Sequence, residues 1–268
     1  MRSQRILILC AVVMLLCTAA WAGQRATRVR FGYLDDPGSV LPLLAARQGE
    51  FRKEGLDVTL VEYASADEGL AALAAGKLDA GSFPVGAVLQ AIAENGDLQI
   101  IAGGGRPKPG ELEDEIDRNA SADLGIREVV TVIRSGKNAP IKETAIRLVT
   151  SQIRAHQELR QHATRALRSI RHLSALPPPG SYAFDPNPDY YRFAPIWKKL
   201  ELQRPEMRRD HLAGHVYEEI YCDALDRALD ADPQNVELKR LASAAVCTPD
   251  CCPKAKKRKT PLSKGAAP

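Results

Sequence analysis

The side chains best suited to bind a small molecule lie in three short polar segments in the first half of the chain. These segments are residues 33–39, 63–65 and 82–85. The candidate ligand-binding residues within them are Tyr33, Asp36, Ser39, Ser65, Ser82, Phe83 and Val85. Hydroxyl groups and the free backbone N–H groups at helix starts donate hydrogen bonds to anions. The three segments therefore predict a site for a small anionic or zwitterionic ligand.

Each polar segment directly follows a predicted β-strand. Alternating and β-branched residues predict strands over 28–33, 57–63, 78–82 and 98–102. The intervening sequences predict helices over 41–53, 67–75 and 85–95. Strands that alternate with helices of this length are typical of a parallel sheet with helices on its faces. Because ligands of such sheets lie beyond the carboxyl ends of the strands, we expect the three segments to meet at one edge.

A series of short motifs between Arg28 and Gly105 carries a family resemblance through its order and spacing. The motifs are Phe31-Gly32-Tyr33, Leu41-Pro42-Leu43, Gly49 to Val58, Ala71 to Gly81, and Gly96-Asp97-Leu98. This stretch resembles the solute-binding proteins of ABC importers for nitrate, sulfonate, taurine, bicarbonate and thiamine-precursor pyrimidines. The alternative is a generic α/β domain that shares with this family only the positions at which strands and helices begin and end.

The resemblance implies a fold and a function. The fold would be α/β, with a periplasmic-binding-protein-like (type II) lobe. The function would be reversible capture of a solute, without bond chemistry and without a cofactor, so the chain would not be an enzyme. The partners would be the small-molecule solute and an ABC permease in the inner membrane, and the chain would act as a monomer.

The second half of the chain departs from this family. A β-branched strand is predicted over 126–134, but residues 141–173 then predict one long amphipathic helix where the family continues into a second lobe that contains strands. Further helices are predicted over 190–202 and 211–229, followed by a short last helix. We therefore expect a shortened, mainly helical second part, which leaves open a role as a partner-binding or sensory module.

The ends of the chain predict export. Residues 1–22 combine a basic start, an apolar run and an Ala-Trp-Ala cleavage signal, which is typical of a secretory signal peptide and a periplasmic protein.

The formal net charge is +4, but basic residues are concentrated in the tail after Cys252. No nucleic-acid partner is expected, because the rest of the mature chain is mildly acidic. The expected segments are 1–22 signal peptide, 23–105 α/β ligand-binding lobe, 106–145 acidic loop, strand and crossover, 146–246 helical part, and 247–268 disordered tail.

Two groups of residues could bind metal. His211 and His215 have the i, i+4 spacing of zinc ligands, although the glutamate that follows the first histidine in zinc proteases is missing. Cys247, Cys251 and Cys252 could form a soft-metal site, which would make the chain a metal carrier. The competing prediction is a disulfide between Cys222 and the tail, since an oxidising compartment favours pairing. No metal site is expected among the ligand-binding residues.

Overall fold

The computed structural model describes most of the chain between the leader and the tail. The described residues are 26–95, 97–108, 128–134, 140–171, 173–174, 176, 180–188, 190–203 and 212–244. The predicted signal peptide, the acidic stretch 109–124 and the tail 247–268 lie outside them. None of the described helices is long and apolar enough to cross a bilayer.

In the described part of the chain, seven strands form one large sheet and one small ribbon. Their bounds are β1 Thr27–Leu34, β2 Leu56–Tyr63, β3 Ala80–Pro84, β4 Leu98–Ala102, β5 Gly105–Pro107, β6 Val129–Arg134 and β7 Tyr182–Phe184. The large sheet has the order β2-β1-β3-β6-β4, and β5 pairs with β7 in the ribbon. Strand β1 is parallel to β2 and β3, whereas β6 is antiparallel to both of its neighbours. The predicted α/β fold class is confirmed, and the sheet contains the predicted parallel pairing at β1 but is mixed because of β6.

Ten α-helices and one 3-10 helix accompany the strands within the described ranges. The 3-10 helix is Pro37–Ser39, and the first four α-helices are α1 Val40–Arg47, α2 Glu50–Lys53, α3 Ala66–Ala74 and α4 Val85–Asn95. The remaining helices are α5 Pro140–Gln161, α6 Ala163–Ser169, α7 Tyr190–Gln203, α8 Leu212–His215, α9 Glu218–Ala231 and α10 Val236–Ala244.

Helices cover both faces of the large sheet and enclose two hydrophobic cores. On one face Phe31 of β1 packs with α1, α5 and α9, where Val149 and Leu225 are fully buried. On the other face Phe83 of β3 packs with α3, α4 and α7, where Phe193 is fully buried. The helices of the second half therefore lie on the sheet that the first half begins. The burial of apolar surface on both faces stabilises this three-layer arrangement.

Three of the predicted long helices are divided in the structure. The predicted helix 41–53 is split into α1 and α2 at Gly49, whose φ of 72° places it in the left-handed region that favours glycine. The predicted helix 141–173 ends at Gln161, and α6 begins after His162, whose φ of −140° is not helical. The predicted helix 211–229 is interrupted at Val216, because Val216 forms a parallel bridge with Ile100 of β4. In the last case a tertiary pairing overrides helical periodicity.

The β5–β7 ribbon lies over the carboxyl edge of the large sheet. It follows β4 directly, and its glycine Gly105 packs against the Cα of Gly38 in the 3-10 helix, where a Cβ atom would not fit. Two backbone bonds of 3.0 Å hold the ribbon, one from Asp185 N–H to the Gly104 carbonyl and one from Gly103 N–H to the Pro186 carbonyl. The chain itself therefore covers the edge at which the ligand is predicted.

Candidate functional site

A row of residues crosses the large sheet near its carboxyl edge. Tyr33 of β1 is in register with Ser82 of β3, and Ser82 is in register with Thr131 of β6. Residues in register on neighbouring strands point to the same face, with Cβ atoms about 4.5–5.5 Å apart in antiparallel pairs. This face is the one that α1 and α5 cover. The row therefore places three hydroxyl-bearing side chains under these helices.

Two predicted site residues, Ser39 and Ser82, carry buried hydroxyl groups without a hydrogen-bond partner in the part of the chain that the structure describes. Each residue is only 1% exposed. Ser39 immediately precedes α1, and the adjacent Gly38 contacts Val129, two residues before Thr131. Both serines thus lie at the carboxyl edge. A buried polar group without a partner costs about 1–3 kcal/mol, so these hydroxyls are available to a ligand or a bound water.

Thr131 and Gln152 extend this polar cluster and were not predicted. The Thr131 hydroxyl donates to Oε1 of Gln152 on α5 over 3.0 Å, and both residues are fully buried. The Nε2 atom of Gln152 has no partner within the described ranges. The sequence holds a signal for Gln152, because it falls on the apolar stripe of α5 beside Val149 and Ile153. We call Ser39, Ser82, Thr131 and Gln152 the edge cluster.

Tyr33, Asp36 and Ser65 make local hydrogen bonds at the ends of strands. The Tyr33 hydroxyl donates to Oε2 of Glu62 over 3.0 Å, and burial together with this carboxylate raises the pKa of Tyr33 to about 12. The Asp36 carboxylate accepts from Gly38 N–H over 2.6 Å and caps the 3-10 helix. Ser65 caps α3 by accepting from the N–H of Glu68 over 3.2 Å. Each of these three side chains therefore has a structural role in the fold.

Phe83 and Val85 belong to the core on the opposite face of the sheet. Both are fully buried, and the Phe83 ring lies against three glycines, Gly32, Gly69 and Gly81. The Val85 N–H donates to the Glu128 carbonyl over 2.7 Å. The structure therefore does not bring these two side chains to the edge cluster. Phe83 follows Ser82 on β3 and points to the opposite face of the sheet, and Val85 begins α4 and packs in the same core as Phe83.

The described residues contain no group of three or more metal ligands. Nδ1 of His215 lies 2.7 Å from the Leu98 carbonyl, so β4 holds this ring, and His211 lies outside the described ranges. Cys222 is buried and disulfide-bonded, so the prediction that Cys222 takes part in a disulfide is confirmed. Its partner cysteine and the proposed soft-metal ligands Cys247, Cys251 and Cys252 also lie beyond the described part of the chain.

A comparison with protein-family models gives a match over the segment that holds the first four strands. Residues 22–104 match the NMT1-like family. This NMT1-like segment contains β1 to β4, and therefore all three predicted polar segments, Ser39 and Ser82. It ends before Thr131 and Gln152. The resemblance that the sequence motifs indicate is confirmed over this segment. No match was found among curated proteins.

Solved structures confirm the periplasmic-binding-protein fold beyond the NMT1-like segment. A ligand-binding component of an ABC-type import system from Staphylococcus aureus, with zinc bound, aligns with a TM-score of 0.56 at 11% identity, over 74% of this chain and 99% of that one. The nitrate-binding protein NrtA from Synechocystis PCC 6803 aligns with a TM-score of 0.54 at 11% identity, over 80% and 91%. The CA3427 gene product of Candida albicans, described as having the generic periplasmic binding protein fold, aligns with a TM-score of 0.53 at 9% identity, over 74% and 94%.

Proposed function

We propose that this chain is the solute-binding component of an ABC-type importer and that it captures a small anionic or zwitterionic solute. The match of the NMT1-like segment and the fold of the aligned binding proteins support this class of function. Capture of this kind is reversible and involves no bond chemistry. Export through the leader 1–22 would place the chain in the periplasm, where it would deliver its solute to a permease in the inner membrane.

The observation that carries the proposal is the edge cluster. Ser39, Ser82 and Gln152 present three buried polar groups that have no partner among the residues that the structure describes, and α1 begins directly after Ser39. A helix N-terminus favours negative charge, and hydrogen bonds to a charged group contribute about 1.5–3 kcal/mol each. A few such bonds account for micromolar affinity, which corresponds to about 8 kcal/mol.

Solute entry requires a movement of the covering elements. The edge cluster is buried beneath α1 and α5, and the β5–β7 ribbon packs on the 3-10 helix at the same edge. The ribbon is short, so few backbone bonds hold it in place. Opening of the ribbon would admit the solute, and its return would exclude water from the hydrogen bonds.

A second candidate function, a partner-binding or sensory module, is favoured by one observation. Within the described residues there is one large sheet, and the helices of the second half pack on it instead of building another lobe around a second one. A single lobe cannot close on a solute as two lobes do. This candidate predicts that the chain binds its protein partner equally well with and without solutes.

The proposed site is tested by adding a negative charge at the edge cluster. Ser82→Asp should abolish binding of an anionic solute, because the new carboxylate would be buried beside it without a cation. Ala71→Asp is the matched control, since it adds the same charge at an exposed position of α3 outside the three predicted polar segments. Titration calorimetry with the solute should show loss of binding only for Ser82→Asp. Unchanged affinity in a folded Ser82→Asp protein would remove the edge cluster from the site.

A further inference from the structure

A separate cavity of about 300 Å³ lies between α5, α6 and the β5–β7 ribbon. Its size is at the lower end of the range for small-molecule sites. The lining residues are Lys108, His156, Leu159, Arg160, Ala163, Thr164, Leu167, Gly180, Tyr182, Ala183 and Phe184. No member of the edge cluster is among them, and all of them lie outside the NMT1-like segment.

The polar lining residues can bind a negatively charged group. Lys108 is exposed and has no ion-pair partner among the described residues. Arg160 lies 3.7 Å from Glu237, but the same carboxylate also accepts two shorter hydrogen bonds from Arg240, of 2.7 and 2.9 Å. Arg240 therefore neutralises most of the charge of Glu237. Asp185 also acts on the charge of His156, but neither carboxylate belongs to the lining, whose charged side chains are Lys108 and Arg160.

His156 supplies a third polar group inside the cavity. Its side chain is 2% exposed, and Nδ1 has no hydrogen-bond partner in the described part of the chain. A buried ring nitrogen without a partner costs free energy unless a ligand or a water satisfies it. His156 lies one helical turn after Gln152 on α5, at the end of the helix that reaches the ribbon.

The other walls of the cavity are apolar. Leu159 and Leu167 are buried, and Ala163 leaves space at the first position of α6. Tyr182 and Phe184 stack with ring centroids 6.0 Å apart and planes inclined by 22°. Aromatic side chains in this arrangement favour a further flat apolar group placed against their faces or edges.

We propose that this cavity binds an organic anion with an aromatic body and one carboxylate. The carboxylate is bound by Lys108 and Arg160, and the aromatic body lies among Leu159, Leu167, Tyr182 and Phe184. His156 Nδ1 accepts a hydrogen bond from a donor substituent of the ligand, such as a hydroxyl. A small inorganic oxyanion would not contact the apolar walls, and a neutral aromatic ligand would not bind the two cations Lys108 and Arg160. This site goes beyond the proposed function, because it shares no residue with the edge cluster.

The test uses benzoate as the probe on the chain from Gly23 onward, with acetate and benzamide as comparisons. Benzoate should bind saturably, and acetate and benzamide at least about tenfold more weakly, because each lacks one half of the recognised chemistry. Ala163→Trp should abolish benzoate binding by filling the cavity. Ala71→Trp, an exposed alanine of α3 on the opposite layer, is the matched control and should leave binding unchanged.

A second pair of variants removes charge without adding bulk. Lys108→Gln combined with Arg160→Gln should weaken benzoate binding about tenfold or more, whereas Arg168→Gln, an exposed residue of α6 outside the cavity, should not. Ser82→Asp should bind benzoate normally, so failure of the edge cluster and failure of the cavity are distinguishable. No saturable binding up to about 10 mM benzoate, or equal affinity in a folded Ala163→Trp protein, would overturn the proposal.

Discussion

At the residue scale, the buried polar side chains of α5 are the least expected feature of the molecule. Gln152 and His156 are four residues apart and lie on the helix stripe that otherwise buries Val149, Ile153 and Leu159. One faces the strand ends and the other faces the cavity beneath the ribbon. Each of the two side chains has one buried nitrogen without a partner in the described part of the chain, which costs free energy unless a ligand or a water bonds to it.

His156 makes the stability of the fold depend on pH. Burial lowers the pKa of its imidazole below the ordinary value of 6.5, outweighing the nearby carboxylates of Asp185 and Glu237, while Arg160 lowers it further. The unfolded chain therefore takes up a proton at a higher pH than the folded chain does. The contribution of His156 is fully present above about pH 6.5 and is lost as the pH falls below that value.

We expect the variant His156→Gln to be less sensitive to acid than the parent chain. The free energy of unfolding, measured with urea at about pH 7 and about pH 5, should fall less between these two conditions in the variant. His162→Gln changes an exposed histidine next to α6 and is the control, which should retain the parent slope. The same pH dependence in all three proteins would contradict the assignment of the acid sensitivity to His156.

At the element scale, a buried carboxylate joins three helices that lie on the same face of the sheet as Phe31. Glu54 follows α2 and is nearly inaccessible, and its oxygens lie 2.7 Å from Nη1 of Arg154 on α5 and 2.6 Å from Nε of Arg227 on α9. Arg227 also bonds to Glu143 at the start of α5 over 3.1 Å. The network fixes the helices of the second half against the first, and so holds Gln152 over the sheet.

Glu54→Gln should destabilise the fold by about 1–3 kcal/mol, because the partly buried Arg154 would lose its counter-ion and Arg227 would keep only its pair with Glu143. Glu158→Gln breaks a pair with the largely exposed Arg165 and should cost less than about 1 kcal/mol. Urea unfolding near neutral pH measures both. Equal losses in the two variants would show that the Glu54 network does not organise the helices.

The sequence predicts the bounds of strands and helices accurately where their signals are local. Strands β1, β2 and β4 and helices α3 and α4 lie within two residues of the predicted bounds, because each is followed by its own turn signal. The insertion of β6 between β3 and β4, and the pairing of β5 with β7, depend on contacts between distant residues that no local pattern specifies.

The same distinction applies to the edge cluster. Ser39 and Ser82 could be found from the rule that ligands lie beyond strand ends. Thr131 and Gln152 could not be placed beside them, because their proximity depends on the register of β6 and on the docking of α5. Phe83 and Val85 were included from their position at a strand end, but the pleat turns Phe83 to the other core, and Val85 begins α4 and packs in that core as well.

At the scale of the whole molecule, one large sheet carries both halves of the chain. The NMT1-like segment supplies four of its five strands, and the second half adds β6 and the helices that cover the sheet. A short ribbon closes the carboxyl edge of this sheet, and polar groups without a partner in the described residues are buried near that edge. This arrangement supports capture of a small solute even though the described residues contain no second large sheet.

The measurement that tests this account most directly is a thermal-shift screen of the chain from Gly23 onward against nitrate, bicarbonate, taurine, alkyl sulfonates and aminopyrimidines. A solute that binds the native state stabilises it by about 2.7 kcal/mol at a hundredfold excess over its Kd. We expect one class of these solutes to raise the melting temperature, and Ser82→Asp to remove that rise. A cooperative melting transition that none of the solutes shifts would contradict capture at the edge cluster.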